Sequence, residues 1–80
     1  MIDKIFITKE AYTYLEKHQM LELFMKAIIK LKSGQNAGVD LKKRKPKVLN
    51  IWSFRITKKY RAWCRRRGSE LTVYKIDAHR

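Results

Sequence analysis

The spacing of apolar residues changes once along this chain, and that change constrains its fold more than any other feature. Leu21, Phe24, Ile28 and Leu31 recur at intervals of three and four, with Ala27 on the same face. That is the spacing of a helix burying one stripe. Further on the interval drops to two. Val48, Asn50, Trp52, Phe54 and Ile56 would share one face of a strand over Val48–Thr57, because successive strand side chains point to opposite faces. Tyr60–Arg66 reads as the next strand and Leu71–Asp77 as the last. Lys58 and Lys59 lie near the first turn, and Arg67-Gly68 supplies the second.

The first third completes the pattern. Ile2–Ile7 (IDKIFI) is short, β-branched and aromatic, and predicts a first strand. Thr8 is an N-cap with Glu10 in the first turn of the helix it starts, and Ala11, Leu15 and His18 follow at helical spacing. Lys17–Met20 leaves open whether this helix is separate from the next; if it is, the two pack as an αα-hairpin. Gly34 stands just past the second helix, after Lys30 and Lys32, as a C-cap. Ser33–Gly38 is a loop, and Val39–Lys47, with the only proline, is an extended edge segment or loop. The expected architecture is α+β, in the order β-α-α-β-β-β. Two N-terminal helices pack on one face of a small antiparallel sheet, and the other face stays open. At 80 residues the chain is one domain, 1–80.

Composition excludes several classes. The single cysteine, Cys64, cannot form an internal disulfide, which points to a reducing, cytoplasmic setting. No apolar run approaches the ~18 residues of a membrane span, and no apolar signal region follows a basic start. The charge is informative because it is uneven. Formal net charge is +13, and residues 41–69 hold twelve cations and no acid. These are Lys42, Lys43, Arg44, Lys45, Lys47, Arg55, Lys58, Lys59, Arg61, Arg65, Arg66 and Arg67. Solubility does not need so lopsided a block, which repels itself in the folded state and implies a polyanionic partner. Nucleic acid is the first candidate. A membrane surface would call for a basic amphipathic helix, whereas this block is strand and turn.

Alternation places Arg61, Trp63 and Arg65 on one face and Tyr60, Ala62, Cys64 and Arg66 on the other. Arg55 shares a face with Ile51 and Ser53, so strand pairing can bring Arg55 and Arg61 together. A plain reading is a solvated face that discourages edge-to-edge aggregation. No enzyme constellation is evident: two His and one Cys have the wrong spacing for zinc, and no glycine loop cradles a phosphate. Cys64, mid-strand, reads as a small buried residue, and His18 as a helix-face or core residue. His79, beside Arg80, is a candidate proton carrier on RNA.

The segment FRITKKYRAWC, followed by a glycine hairpin and LTVYKIDAHR, resembles the C-terminal half of the RelE/ParE superfamily of bacterial toxins. The residues that carry the likeness are Arg55, Tyr60, Arg61, His79 and Arg80. The resemblance implies the toxin of a type II toxin–antitoxin pair: a ribosome-dependent, metal-independent endoribonuclease that cleaves mRNA and stops translation, with no cofactor. By position Arg61 and Arg80 would stabilise the phosphate, His79 would act as acid or base, and Arg55 would support them. Lys42, Lys43, Arg44, Lys45, Lys47, Lys58, Lys59 and Arg65 would contact RNA, and an acidic antitoxin would cover the charge. Where some members carry a catalytic lysine on the strand before Arg55, this chain has Ile51 or Ser53. The alternatives are a ParE-like inhibitor of DNA gyrase and a non-catalytic basic nucleic-acid-binding module.

Overall fold

The computed structural model describes residues 2–78. Strand β1 (Lys4–Ile7) leads into helix α1 (Lys9–Lys17), capped by the Thr8 hydroxyl, which accepts from the Ala11 amide at 3.3 Å. The chain breaks after α1 through a Schellman turn. Gln19 takes a left-handed φ of 57°, and the Met20 amide donates to the Leu15 carbonyl. Helix α2 (Leu21–Lys32) ends the same way, with Gly34 at φ 81° and the Gln35 amide donating to the Lys30 carbonyl. The two helices are therefore separate, and Gly34 has the capping role its position predicts.

Strands β2 (Lys42–Lys43), β3 (Ile51–Arg55), β4 (Tyr60–Arg67) and β5 (Glu70–Ala78) complete a five-stranded sheet in the order β1-β5-β4-β3-β2. The α+β architecture and element order are those expected, with one addition: the two-residue edge strand β2, which falls in the segment read as an extended edge or loop. The sheet is mixed rather than wholly antiparallel, because β1 pairs parallel to β5. β1 and β5 are the first and last strands, so both helices and β2–β4 lie between them in the chain, a connection long enough for the parallel pairing that a short turn could not give. The expected strand over Val48–Thr57 begins only at Ile51. Lys47–Leu49 form a 3-10 turn, Val48 is exposed, and Asn50 turns left-handed at φ 53°. The second hairpin turns at Gly68-Ser69, one residue later than read, with Arg67 opposite Glu70.

The core lies between the helices and one sheet face. Ala11, Leu15, Phe24, Ala27 and Leu31 meet Phe54, Ala62, Cys64, Leu71, Val73 and Ile76, with the Phe24 and Phe54 rings 6.1 Å apart. The register of β5 slips against β4 between Trp63 and Cys64, leaving Tyr74 without a direct partner. That bulge moves the buried phase of β5 from Leu71 and Val73 to Ile76. Among the described residues no helix is long and apolar enough to cross a membrane.

Candidate nucleic-acid interface

The face of the sheet away from the helices carries the cations. Antiparallel pairing sets Arg55 of β3 opposite Arg61 of β4, and Ser53 opposite Trp63. Arg61 stands in turn opposite Asp77 of β5. Arg61 thus sits in register between a cation and an acid, and the juxtaposition that sequence alone left open is made by the β3–β4 ladder.

Arg44 reaches the same place from the sheet edge. Its amide donates to the Ile51 carbonyl at 2.7 Å, which holds the chain against β3. Its Nε donates to the Ser53 hydroxyl at 2.7 Å. Its guanidinium carbon lies 5.2 Å from the Trp63 ring centroid, and that of Arg61 lies 5.5 Å from the same centroid. Burial, then the charge of Arg61 and, more weakly, of Arg55, hold Arg44 below the ordinary arginine range; Asp40 opposes the shift. Arg44 and Arg61 therefore both lie against the Trp63 ring, with Arg55 opposite Arg61 in the ladder and its charge reaching Arg44. Among the described residues Ser53 is the one buried polar residue, at 1% exposure, on this open face. The Trp63 indole Nε1 is buried with no hydrogen-bond partner among the described residues.

The remaining cations are dispersed. Lys42 and Arg44 share the face of Ser53, whereas Lys43 sits opposite Trp52 on the other face. Lys42 is bonded to Asp40 at 3.5 Å. Lys42, Lys43, Arg44, Lys45, Ile51 and Trp63 border a basin of about 520 Å³. Lys47 is exposed at the far end of β3, and Lys58 and Lys59 sit at the β3–β4 turn, with Lys59 Nζ 5.7 Å from the Tyr60 ring. Arg65 is exposed beside Tyr74. Arg66 has a structural post, over the Trp52 ring at 4.7 Å and bonded to the Gly68 carbonyl. His79 and Arg80, two of the four expected catalytic residues, lie outside the described residues.

Cys64 is fully buried, and burial pushes its thiol up to about 12. It is an inert core residue, as expected, because a reactive thiol needs a lowered pKa. His18 is exposed and stacks on Tyr14 at 4.1 Å between centroids, with Tyr60 close by. Burial, then Tyr60 and Asp77, raise the Tyr14 hydroxyl above its usual range. Among the described residues no cluster of His, Cys, Asp and Glu could hold a metal ion. Sequence reasoning missed Ser53 and Trp63 as parts of the site. Alternation carried the signal, since each lies two residues from a cation on the same face.

No protein-family model matches the chain, and no curated protein matches it. Solved structures do. A YoeB/ParE toxin from Agrobacterium tumefaciens is 26% identical over 98% of this chain and 100% of that one, with a TM-score of 0.70. A copper-bound variant toxin from Helicobacter pylori is 14% identical over 99% of this chain and 96% of its own, with a TM-score of 0.71. The YoeB–YefM complex from Staphylococcus aureus aligns at 15% identity over 100% and 99% of the two chains, with a TM-score of 0.65. At those lower identities the last two speak for the fold alone. Carried over 98% of this chain and the whole of the other, the likeness to the YoeB/ParE toxin supports a RelE/ParE-like toxin superfamily for this chain.

Proposed function

We propose that this protein is the toxin of a toxin–antitoxin pair and that it cleaves mRNA on the ribosome. The carrying observation is the Arg55–Arg61 pair on the open face with Arg44 beside it. The likeness to YoeB toxins, one of them in a complex with YefM, supports the toxin reading and an antitoxin partner. In the proposed reaction the 2′-hydroxyl oxygen of the RNA attacks the adjacent phosphorus and the P–O5′ bond breaks. The products are a 2′,3′-cyclic phosphate and a 5′-hydroxyl. One proton leaves the 2′-oxygen and another reaches the 5′-oxygen. Arg61 and Arg80 stabilise the charge growing on the phosphate, and Arg55 supports them. His79 moves one of the protons. The acidic antitoxin competes for the same cations, and complementary charge speeds its capture.

The test maps cleavage of ribosome-bound mRNA, beside a gyrase supercoiling assay. Cleavage lost in Arg61→Ala and Arg80→Ala proteins that melt like the parent supports the reading; loss of one cation is typically worth ~10²–10³ in rate. His79→Ala lowers cleavage by up to ~10²–10⁴ and leaves RNA binding intact. Intact mRNA with inhibited supercoiling would move the protein to the gyrase-directed reading. Full growth arrest by folded Arg61→Ala and Arg80→Ala proteins would remove the nuclease.

A further inference from the structure

Arg44 differs from the lysines around it. It belongs to a run of four cations, Lys42, Lys43, Arg44 and Lys45, of which only Arg44 is half-buried; the other three are exposed. A long side chain normally stays free at such an edge, because ordering it costs rotamer entropy. Here two groups hold it. The buried Ser53 hydroxyl accepts from Nε at 2.7 Å, and the Trp63 ring lies beneath the guanidinium. The carboxylate of Asp40, whose charge acts on Arg44, is paired with Lys42 at 3.5 Å. Arg44 is thus drawn toward two other guanidiniums, where like charge opposes it. A bound anion would offset that repulsion.

We propose that Arg44, Arg55 and Arg61 form one binding site for a backbone phosphate, and that Ser53 and Trp63 are positioning residues that orient Arg44 toward it. This rests on the nucleic-acid reading of the open face. The use of Nε on Ser53 explains why the position holds arginine. The two terminal nitrogens remain to grip two phosphate oxygens at once, which a lysine cannot do.

The experiment reads phosphate binding without cleavage. Trp52→Phe leaves Trp63 as the single indole reporter, since the chain has two tryptophans. Pyrophosphate, a short single-stranded RNA and the matching single-stranded DNA are titrated against it, with folding checked by circular dichroism. If Trp52→Phe does not fold, the parent protein is titrated by calorimetry. Each ligand gives a saturable response, with RNA and DNA alike if the backbone phosphate is what is held. Arg44→Ala weakens pyrophosphate by about tenfold or more, as for loss of a hydrogen bond to a charged group. Arg44→Lys does not restore it. Ser53→Ala weakens binding in the parent but adds nothing in the Arg44→Ala background, because it acts through Arg44. The site is overturned if Arg44→Ala binds pyrophosphate as the parent does, or if Ser53→Ala acts equally without Arg44. A protein that binds pyrophosphate through Arg44 yet leaves ribosome-bound mRNA intact keeps this site and removes the nuclease reading. One that cleaves mRNA and binds pyrophosphate equally without Arg44 keeps the nuclease and overturns the site.

Discussion

Across the β3–β4 ladder Arg55 faces Arg61, an arrangement a sheet selected for stability alone would avoid. Like charges directly opposite destabilise a ladder by roughly 0.2–1 kcal/mol. Arg55→Thr therefore raises the melting temperature slightly while weakening RNA cleavage, measured by thermal melts beside the cleavage assay. A lower melting temperature would show that Arg55 holds the sheet together. Cys64 makes the opposite case, a titratable residue kept for packing. Its thiol is held neutral up to about 12 when folded and ionises near ~8.5 when unfolded. The unfolded chain thus loses its proton first. The stabilising contribution is complete below ~8.5 and is lost as pH rises from there toward about 12. Urea midpoints of the parent and of Cys64→Ala at successive alkaline pH values check this: the gap between them narrows as pH rises. A constant gap would mean that the thiol does not titrate on unfolding.

At the scale of elements, β3 is where propensity and structure part. Val48–Thr57 alternates well enough to read as one strand, but Asn50 interrupts it. Its side-chain amide donates to the Arg66 carbonyl, and its carbonyl oxygen accepts from Trp52 Nε1 at 3.0 Å. A left-handed asparagine is tolerated because its short polar side chain bonds locally. Asn50→Ala leaves the indole donor and the Arg66 carbonyl without those partners and keeps the left-handed strain. It costs about 1–3 kcal/mol in a chemical-denaturation curve. A loss under about 0.5 kcal/mol would place Asn50 among ordinary surface residues. At the second hairpin Gly68 has φ 59° with nothing within 4 Å of an added Cβ. Gly68→Ala is penalised by backbone alone, by roughly 1–2 kcal/mol, and D-alanine introduced by synthesis restores the parent stability.

The whole molecule separates its jobs by face. The helices and one side of the sheet supply the core, and the other side gathers Arg44, Arg55, Arg61 and Arg65. With a net charge of +13, the proposed RNA binding is expected to depend strongly on salt. If six or more phosphates are neutralised, affinity falls roughly a thousandfold or more between ~50 and ~200 mM salt. Filter binding over that range measures it, and a nearly flat response would remove the open face as an RNA surface. Trp52, packed against the core and bridged to Asn50, belongs to the other job. Trp52→Ala therefore acts through folding, seen as a lower melting temperature.

By itself the sequence determined what depends on near neighbours. The Leu21–Leu31 stripe specified α2, Thr8 and Gly34 marked helix ends, and alternation from Tyr60 put Arg61 and Trp63 on one face and Cys64 on the other. These are properties of 3.6- and 2-residue periods and of capping chemistry, which short segments carry. The acid-free block likewise carries the expectation of a polyanionic partner without any coordinates. Tertiary structure decided what depends on register and on residues distant in sequence. It set Arg55 against Arg61, laid β1 parallel to β5, and slipped the phase of β5 at Tyr74. It also singled out Arg44 from a run of four similar cations, because a hydroxyl nine residues away was buried where its Nε could reach. No local pattern encodes that choice. Pairing register fixes which side chains oppose one another, and burial fixes which of them can hold a charge in place.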